Sequence, residues 1–219
     1  MALLLSPDVL IDFDGTLVDS SPLHDSAYRE VLRQYEPELL RHYRYDSVKG
    51  RSTREALTVL GVHDAKDLEL LTAAKQRAYR DLLSRLEPLP GARQVLEALR
   101  AIGSTTYLVT SGSRTSVLSA LRSTGIGGFF SGVVTGDDVR AGKPAPDPYL
   151  LCLRRHGLRP RSCLVVEDSV NGVISARKAG LRVIGVHDGD LAGLADGFFP
   201  SLWDLERWIH STAAKGAAS

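Results

Sequence analysis

Short apolar runs alternate with amphipathic segments along most of the chain. The apolar runs predict strands over residues 9–11, 105–109, 132–135, 163–166 and 183–186. Apolar residues at helical spacing predict helices over residues 92–99, 115–121, 148–155 and 173–179. Buried strands that alternate with amphipathic helices are typical of a sheet covered on both faces. The pattern therefore predicts an α/β fold with a doubly wound, mostly parallel, Rossmann-like sheet.

Residues 20–88 have a different pattern, with helices and no strands. Ser21 and Pro22 provide a cap and a first-turn proline for one helix, and further helices are predicted over residues 53–60 and 65–86. Such an insert is too long for a simple connection after a strand. We predict a catalytic core of residues 1–19 and 89–219 and an inserted α-helical cap domain of residues 20–88.

The end of the chain, residues 213–219, lacks an apolar period. It is predicted to be a loose tail, because such a segment has no face to bury.

Composition limits the partners and the compartment that we expect. The 219 residues are 43% hydrophobic, and 27 Lys and Arg balance 26 Asp and Glu. A formal charge of +1 provides no general attraction for nucleic acid or a membrane, so neither is expected as a partner. The two cysteines have no repeated spacing, and no apolar run approaches membrane-spanning length. We expect a cytoplasmic protein that is a monomer or a weak homodimer.

Two carboxylates follow the first predicted strand. Asp12 and Asp14 are two residues apart, so both should project near the carboxyl end of the strand, and Gly15 then permits a sharp turn. Their repulsion is relieved by a divalent cation or by a proton on one of them. An ordinary polar turn is one alternative. A calcium loop is disfavoured, because its glycine lies at the sixth position whereas Gly15 follows Asp14 directly.

Two other predicted strands also end in polar groups, and a lysine lies between them in sequence. Thr110 and Ser111 follow one strand, where hydroxyl and backbone N–H groups can bind an anion. Lys143 lies between a glycine and a proline, and Glu167-Asp168 ends a third apolar run. An acidic pair of this kind suits Mg²⁺. Helix capping and a solvated lysine remain the plainer interpretations of the first two features.

Four motifs follow one another along the chain: Asp12 with Asp14, Thr110, Lys143, and Glu167-Asp168. In this order they resemble the motifs of the haloacid-dehalogenase-like phosphotransferases, in the subgroup with a helical cap. That subgroup includes phosphoglycolate phosphatases and β-phosphoglucomutases. The resemblance implies that Asp12 is the nucleophile, which forms an aspartyl-phosphate. It implies that Asp14 is the general acid and then the base that activates water. The dehalogenases of the family lack an acid at the position of Asp14, so dehalogenation is disfavoured.

The resemblance also implies a metal and a phosphate subsite. Mg²⁺ would be held by Asp12, the Asp14 carbonyl and Asp168, with Glu167 in support. The transferring phosphoryl group would be held by Thr110, Lys143 and the backbone N–H of Ser111.

Three residues of the insert are candidates for substrate binding by the same resemblance. His24 occurs in a pattern like that of sugar-phosphate phosphatases and β-phosphoglucomutases, and Arg51 lies in a segment that resembles the specificity loop of the cap. Lys75 matches a cap lysine of the mutases, although a solvated lysine on a charged helix face is an equal alternative. The mutase arginine aligns with Thr53, one residue from Arg54, which argues against a mutase.

The function expected is a Mg²⁺-dependent phosphatase of a small phosphomonoester, a sugar phosphate or something like phosphoglycolate. The alternative is a sugar phosphomutase of the β-phosphoglucomutase type. A phospho-receiver signalling domain is excluded by the length of the chain and by its helical insert.

Overall fold

The computed structural model describes residues 7–49 and 51–217, with the backbone alone for residues 215–217. The chain forms two compact units. One contains the residues through Asp19 together with those from Glu87 onward, and the other is Ser20–Leu86.

The first unit contains a parallel sheet of six strands. The strands are β1 (Asp8–Ile11), β2 (Thr105–Val109), β3 (Phe130–Val134), β4 (Cys163–Glu167), β5 (Arg182–Val186) and β6 (Gly197–Phe199). Their spatial order is β3-β2-β1-β4-β5-β6, so β1 pairs with β2 on one side and with β4 on the other. All five pairings are parallel. The predicted doubly wound, parallel α/β fold is confirmed.

Helices cover this sheet on both faces. They are α5 (Ala92–Ala101), α6 (Arg114–Thr124), α7 (Asp147–His156), α8 (Val170–Lys178) and α9 (Leu202–Ala217), which follow four helices of the other unit. Leu10 and Val165 form a core with α7 and α8 on one face. Val9 and Ile11 point to the opposite face, because side chains alternate along a strand, and both are buried as well. Burial on both faces explains why these strands are continuously apolar.

The second unit is entirely helical among its described residues. It contains α1 (Ser21–Tyr35), α2 (Pro37–His42), α3 (Thr53–Val59) and α4 (Ala65–Leu82), with 3₁₀ turns at Tyr45–Ser47 and Leu83–Arg85. Helix α4 packs against α1 and α3. A capping box between Ser52 and Glu55 fixes the start of α3, because each side chain accepts a hydrogen bond from the other residue's backbone. The N-cap residue of α1 is Ser20 rather than the predicted Ser21, and the Ser20 side chain makes no capping hydrogen bond.

Two differences from the sequence prediction concern the last third of the chain. The predicted loose tail is wrong through residue 217, because α9 continues to Ala217. Alanine has the highest helix propensity, so Ala213 and Ala214 extend a helix whose apolar face is already anchored by Leu205 and Ile209. Residues 218 and 219 lie outside the described residues. Strand β6 was not predicted, since three residues at the edge of a sheet carry too short a pattern.

Among the described residues, no helix has the length and apolar character needed to cross a membrane.

Candidate active site

The carboxyl ends of three neighbouring strands bring most of the predicted site residues together. Ile11 at the end of β1 pairs with Leu108 of β2 and with Val166 of β4. The next residue, Asp12, continues this ladder, because its backbone N–H donates to the Val166 carbonyl at 3.0 Å. Asp12 therefore lies beside Glu167, at the edge where ligands bind in open α/β sheets.

A tight turn after Asp12 places Asp168 against the chain. Gly15 has φ +90°, and a β-carbon there would overlap the Asp168 carboxylate. The turn is closed by a hydrogen bond from the Gly15 N–H to the Val18 carbonyl at 2.7 Å. The Thr16 hydroxyl donates to Oδ1 of Asp168 at 3.0 Å. Only glycine satisfies both the backbone angle and this close approach.

Lys143 is the charged centre of the site. Its ammonium group donates to Asp12 Oδ1 at 2.5 Å, to Glu167 Oε1 at 2.6 Å and to the Val109 carbonyl at 2.8 Å. These three acceptors match the three protons of an ammonium group. The side chain is 5% exposed, so the plain interpretation of a solvated lysine is wrong. Burial alone would lower the pKa of Lys143, but the carboxylates of Asp12 and Glu167 outweigh it and raise that pKa.

Glu167 is fully buried, and both of its carboxylate oxygens accept hydrogen bonds. Oε1 accepts from Lys143 and from the Tyr149 hydroxyl, the latter at 2.9 Å. Oε2 accepts from the Ser169 hydroxyl at 3.1 Å and from the backbone N–H groups of residues 168 and 169. A β-carbon at Gly172 would overlap this carboxyl group, so the helix start encloses it. Glu167 is thus suited to holding Lys143 in position.

Tyr149 was missed by the sequence analysis. Its phenol ring is buried on α7, and the Lys143 ammonium lies 5.1 Å from the ring centroid. Burial and the adjacent Glu167 raise the pKa of the hydroxyl well above its usual value, which keeps it protonated as a donor. The only sequence signal was its place six residues after Lys143, in a helix that begins at Asp147.

Three carboxylates at this edge could hold a metal ion. Asp12, Glu167 and Asp168 each offer an oxygen, and these oxygens all lie within 4.8 Å of one another. Burial raises the pKa of Asp12 well above its usual value even though Lys143 opposes the shift. Burial and the charge of Glu167 raise the pKa of Asp168 to about 6. Three negative groups against one ammonium group favour a divalent cation, and an all-oxygen donor set suits Mg²⁺.

The loop after β2 lies close to Asp14. Thr110 is buried and continues the ladder to β3, since its N–H donates to the Val134 carbonyl at 3.0 Å. A β-carbon at Gly112 would lie 3.5 Å from the Thr110 hydroxyl and 3.6 Å from Asp14 Oδ2. Ser111 lies in the same loop and is exposed. The structure therefore brings Asp14, Thr110 and Ser111 to the same end of the sheet.

In the helical unit, His24 and Lys75 form a second polar cluster. Lys75 Nζ lies 2.6 Å from His24 Nδ1, and the His24 ring stacks on Tyr79 with a centroid distance of 4.0 Å. Lys75 is 3% exposed and lies over the ring of Tyr28 at 4.6 Å. The alternative of a solvated surface lysine is therefore wrong.

This pairing fixes the protonation state of His24. An ammonium group can only donate, so Nδ1 of His24 accepts and Nε2 carries the proton. Burial and the charge of Lys75 lower the pKa of His24 to about 3, so the ring is neutral near pH 7. A neutral imidazole with a fixed N–H is a hydrogen-bond donor.

Arg51 does not join this cluster. Its side chain is exposed, and among the described residues it forms no ion pair. Its backbone N–H donates to the Val48 carbonyl at 3.2 Å, immediately before the capping box of α3.

Several known proteins are similar to this chain in sequence and in fold. Residues 9–186 match the family described as haloacid dehalogenase-like hydrolase. Fructose-1-phosphate phosphatase YqaB of Escherichia coli (strain K12) is 34% identical over 188 residues, which cover 81% of this chain and 95% of that protein. The phosphoglycolate phosphatase of Nitrosospira multiformis is 31% identical over 218 residues, 94% of this chain and 96% of that protein. The crystal structure of a candidate β-phosphoglucomutase from Thermotoga maritima is similar with a TM-score of 0.76 and 29% identity, over 93% of this chain and 98% of that one.

Proposed function

Because this chain belongs to the haloacid dehalogenase-like hydrolases and is a phosphatase, we propose that it hydrolyses a small phosphorylated metabolite through an aspartyl-phosphate. The proposed substrate is a sugar phosphate or a compound like phosphoglycolate, and the proposed cofactor is Mg²⁺. The observation that carries the proposal is the buried Lys143, which links the carboxylates of Asp12 and Glu167 at the carboxyl edge of the sheet.

In the first step Asp12 attacks phosphorus. A bond forms between its carboxylate oxygen and phosphorus, and the ester P–O bond breaks. Asp14 gives its proton to the departing alkoxide, and in the second step it accepts a proton from the water that attacks the aspartyl-phosphate. The water oxygen bonds to phosphorus as the bond from phosphorus to the Asp12 oxygen breaks, so inorganic phosphate leaves and both aspartates return to their starting states.

The remaining groups stabilise negative charge. The Thr110 hydroxyl and the Lys143 ammonium lie at the edge where the phosphoryl oxygens would bind. The hydroxyl can donate to them, and the positive charge of the ammonium would stabilise the negative charge that spreads in the transition state. The backbone N–H of Ser111 would add a second donor. Mg²⁺, held by Asp12, the Asp14 carbonyl and Asp168, would supply the positive charge that lets an anionic nucleophile approach a phosphate ester.

The first prediction concerns metal and substrate together. We expect phosphate release from at least one member of a panel of phosphosugars, phosphoglycolate and nucleotides with Mg²⁺, and loss of release after exhaustive chelation. The reason is that oxygens of Asp12, Glu167 and Asp168 lie within 4.8 Å of one another, and a divalent cation would relieve the repulsion between these carboxylates. The measurement is inorganic phosphate against time, and the control is restoration by added Mg²⁺. Full activity after chelation would refute the metal role, and a panel without any release would refute the substrate class.

A sugar phosphomutase is the second candidate, favoured by the similarity to a candidate β-phosphoglucomutase. The same panel separates the two functions. A mutase converts a sugar 1-phosphate into its 6-phosphate and leaves little inorganic phosphate, whereas a phosphatase releases it in proportion to substrate consumed.

We further propose that His24, Arg51 and Lys75 select the substrate. Lys75 keeps the His24 ring neutral and oriented, so its Nε2–H is a prepared donor for a polar substrate group. Arg51 is an exposed cation in the same unit.

The second prediction follows from this assignment. The His24→Ala variant should lower kcat/KM for the preferred metabolite by about tenfold or more, on the scale of one lost hydrogen bond to a charged group. Activity on p-nitrophenyl phosphate should change little, because that ester has a good leaving group and few polar contacts. Arg51→Ala should show the same selectivity.

His63→Ala is the matched control, because His63 is an exposed histidine of the same unit. Equal losses on both substrates would assign His24 to chemistry or folding. Unchanged kinetics on both would remove it from the site.

A further inference from the structure

His187 has an unusual backbone conformation directly after β5. Its φ of +66° makes it the one residue other than glycine with positive φ among those the structure describes. The Asp188 N–H donates to the Val186 carbonyl at 2.8 Å, so His187 is the central residue of a three-residue γ-turn. This form of the turn is rare and strained, and a β-carbon makes the left-handed region unfavourable.

The strained conformation is held from two sides. The backbone N–H of His187 donates to the Phe199 carbonyl of β6 at 3.2 Å. The His187 ring contacts Thr16, in the turn after β1, and its Nε2 lies 3.3 Å from the carbonyl oxygen of Thr16. A carbonyl oxygen can only accept, so Nε2 carries the hydrogen and donates. Both the backbone and the side chain of His187 are thus engaged.

Thr16 connects this histidine with the acidic site. Thr16 is fully buried, and its hydroxyl donates to Asp168 Oδ1 at 3.0 Å. Its carbonyl accepts from His187, so the residue is held at both its side chain and its backbone. Thr16 follows Gly15, whose backbone packs so closely against the Asp168 carboxylate that a β-carbon would not fit. A small rotation of the Thr16 peptide would therefore displace the Asp168 oxygen.

We propose that His187 is a positioning residue for the metal site, which acts through Thr16 on Asp168. Glycine would adopt this turn without strain, so a histidine at this position indicates a requirement for the ring. Groups that orient metal ligands in this way tune metal affinity. The inference rests on the proposed function, since it assumes that Asp168 binds Mg²⁺.

The third prediction is that His187→Gly weakens Mg²⁺ binding without destabilising the metal-free protein. The substitution removes the donor to Thr16 and also relieves the positive φ. We expect the Kd for Mg²⁺, measured by isothermal titration calorimetry on the full chain without substrate, to rise about tenfold. The Tm in metal-free buffer should stay equal or increase. Asp190→Gly is the matched control, because it places a glycine in the same loop outside the contact with Thr16, and its Kd should stay within about twofold.

Two results would overturn the inference. One is a Kd for His187→Gly equal to that of the unmodified protein. The other is a metal-free Tm that falls together with the affinity, which would mean that the histidine serves folding. Absence of Mg²⁺ binding by the unmodified protein would instead refute the proposed metal site, and with it the role of His187.

Discussion

Replacement of Asp12 by asparagine is expected to abolish turnover, with a loss of about four powers of ten or more in kcat. The amide has nearly the same shape as the carboxylate but is not a nucleophile, so no covalent intermediate forms. Folding should persist, because Asp12→Asn removes one of three crowded carboxylates and keeps an oxygen that accepts from Lys143. The measurement is single-substrate kinetics together with Tm in metal-free buffer.

Asp19→Asn is the matched control, since Asp19 lies in the same segment and is exposed. Its kcat should stay within about twofold of the unmodified value. Retention of more than about a tenth of the rate by Asp12→Asn would contradict the assignment of Asp12 as nucleophile.

The second large effect is expected from Lys143→Met. This change removes the ammonium group that donates to Asp12 and Glu167, and leaves two carboxylates buried without their counter-charge. Loss of one partner of a buried ion pair costs about 3–5 kcal/mol. For a chain of this size that lowers Tm by roughly 6–20 °C. Because the lysine would also stabilise transition-state charge, kcat should fall by about a thousandfold.

The destabilisation should depend on pH in a defined direction. Burial already raises the pKa of Asp12, and the variant removes the opposing charge of Lys143, so this pKa lies further above its unfolded value and folding takes up a proton. The loss of stability is then smallest at low pH and grows as pH rises through the folded-state pKa. Metal-free Tm should therefore fall less at pH 5 than at pH 8.

Lys178→Met is the matched control, because it also removes one lysine charge but from an exposed position. Lys178 is exposed on α8, and surface substitutions of this kind change stability by about 0.5 kcal/mol or less. An equal Tm for Lys143→Met and the unmodified protein would contradict the structural role of the buried lysine. An equal deficit at both pH values would contradict its electrostatic origin.

The acidic and basic groups of the sheet edge could be predicted from sequence because strand ends are easy to locate. An apolar run that stops at Asp12, at Thr110 or at Glu167 fixes both the strand and its terminal polar residue. Parallel strands then bring these ends to one edge, whatever the details of packing. Lys143 required more, since it lies in a loop before α7, and the flanking glycine and proline were the only signals.

Contacts that depend on side-chain direction could not be predicted. The Tyr149 hydroxyl reaches Glu167 only because α7 packs on the sheet with that face inward. The burial of Lys75 depends on the rotation of α4 against α1, which a charged helical pattern does not reveal. The bond from His187 to Thr16 depends on a strained turn, and strain leaves no pattern of polar and apolar residues.

The central position of β1 in the sheet has a consequence for synthesis on the ribosome. Its neighbour β4 begins at Cys163, roughly 150 residues later, so β1 emerges long before its second partner exists. At about 5–20 residues per second this delay is roughly 8–30 s. The helical unit Ser20–Leu86 is continuous in sequence, and its contacts are local, which favours rapid folding. This unit is therefore expected to fold on the nascent chain while both edges of the strand that leads to Asp12 are still unpaired, since β2 begins only at Thr105.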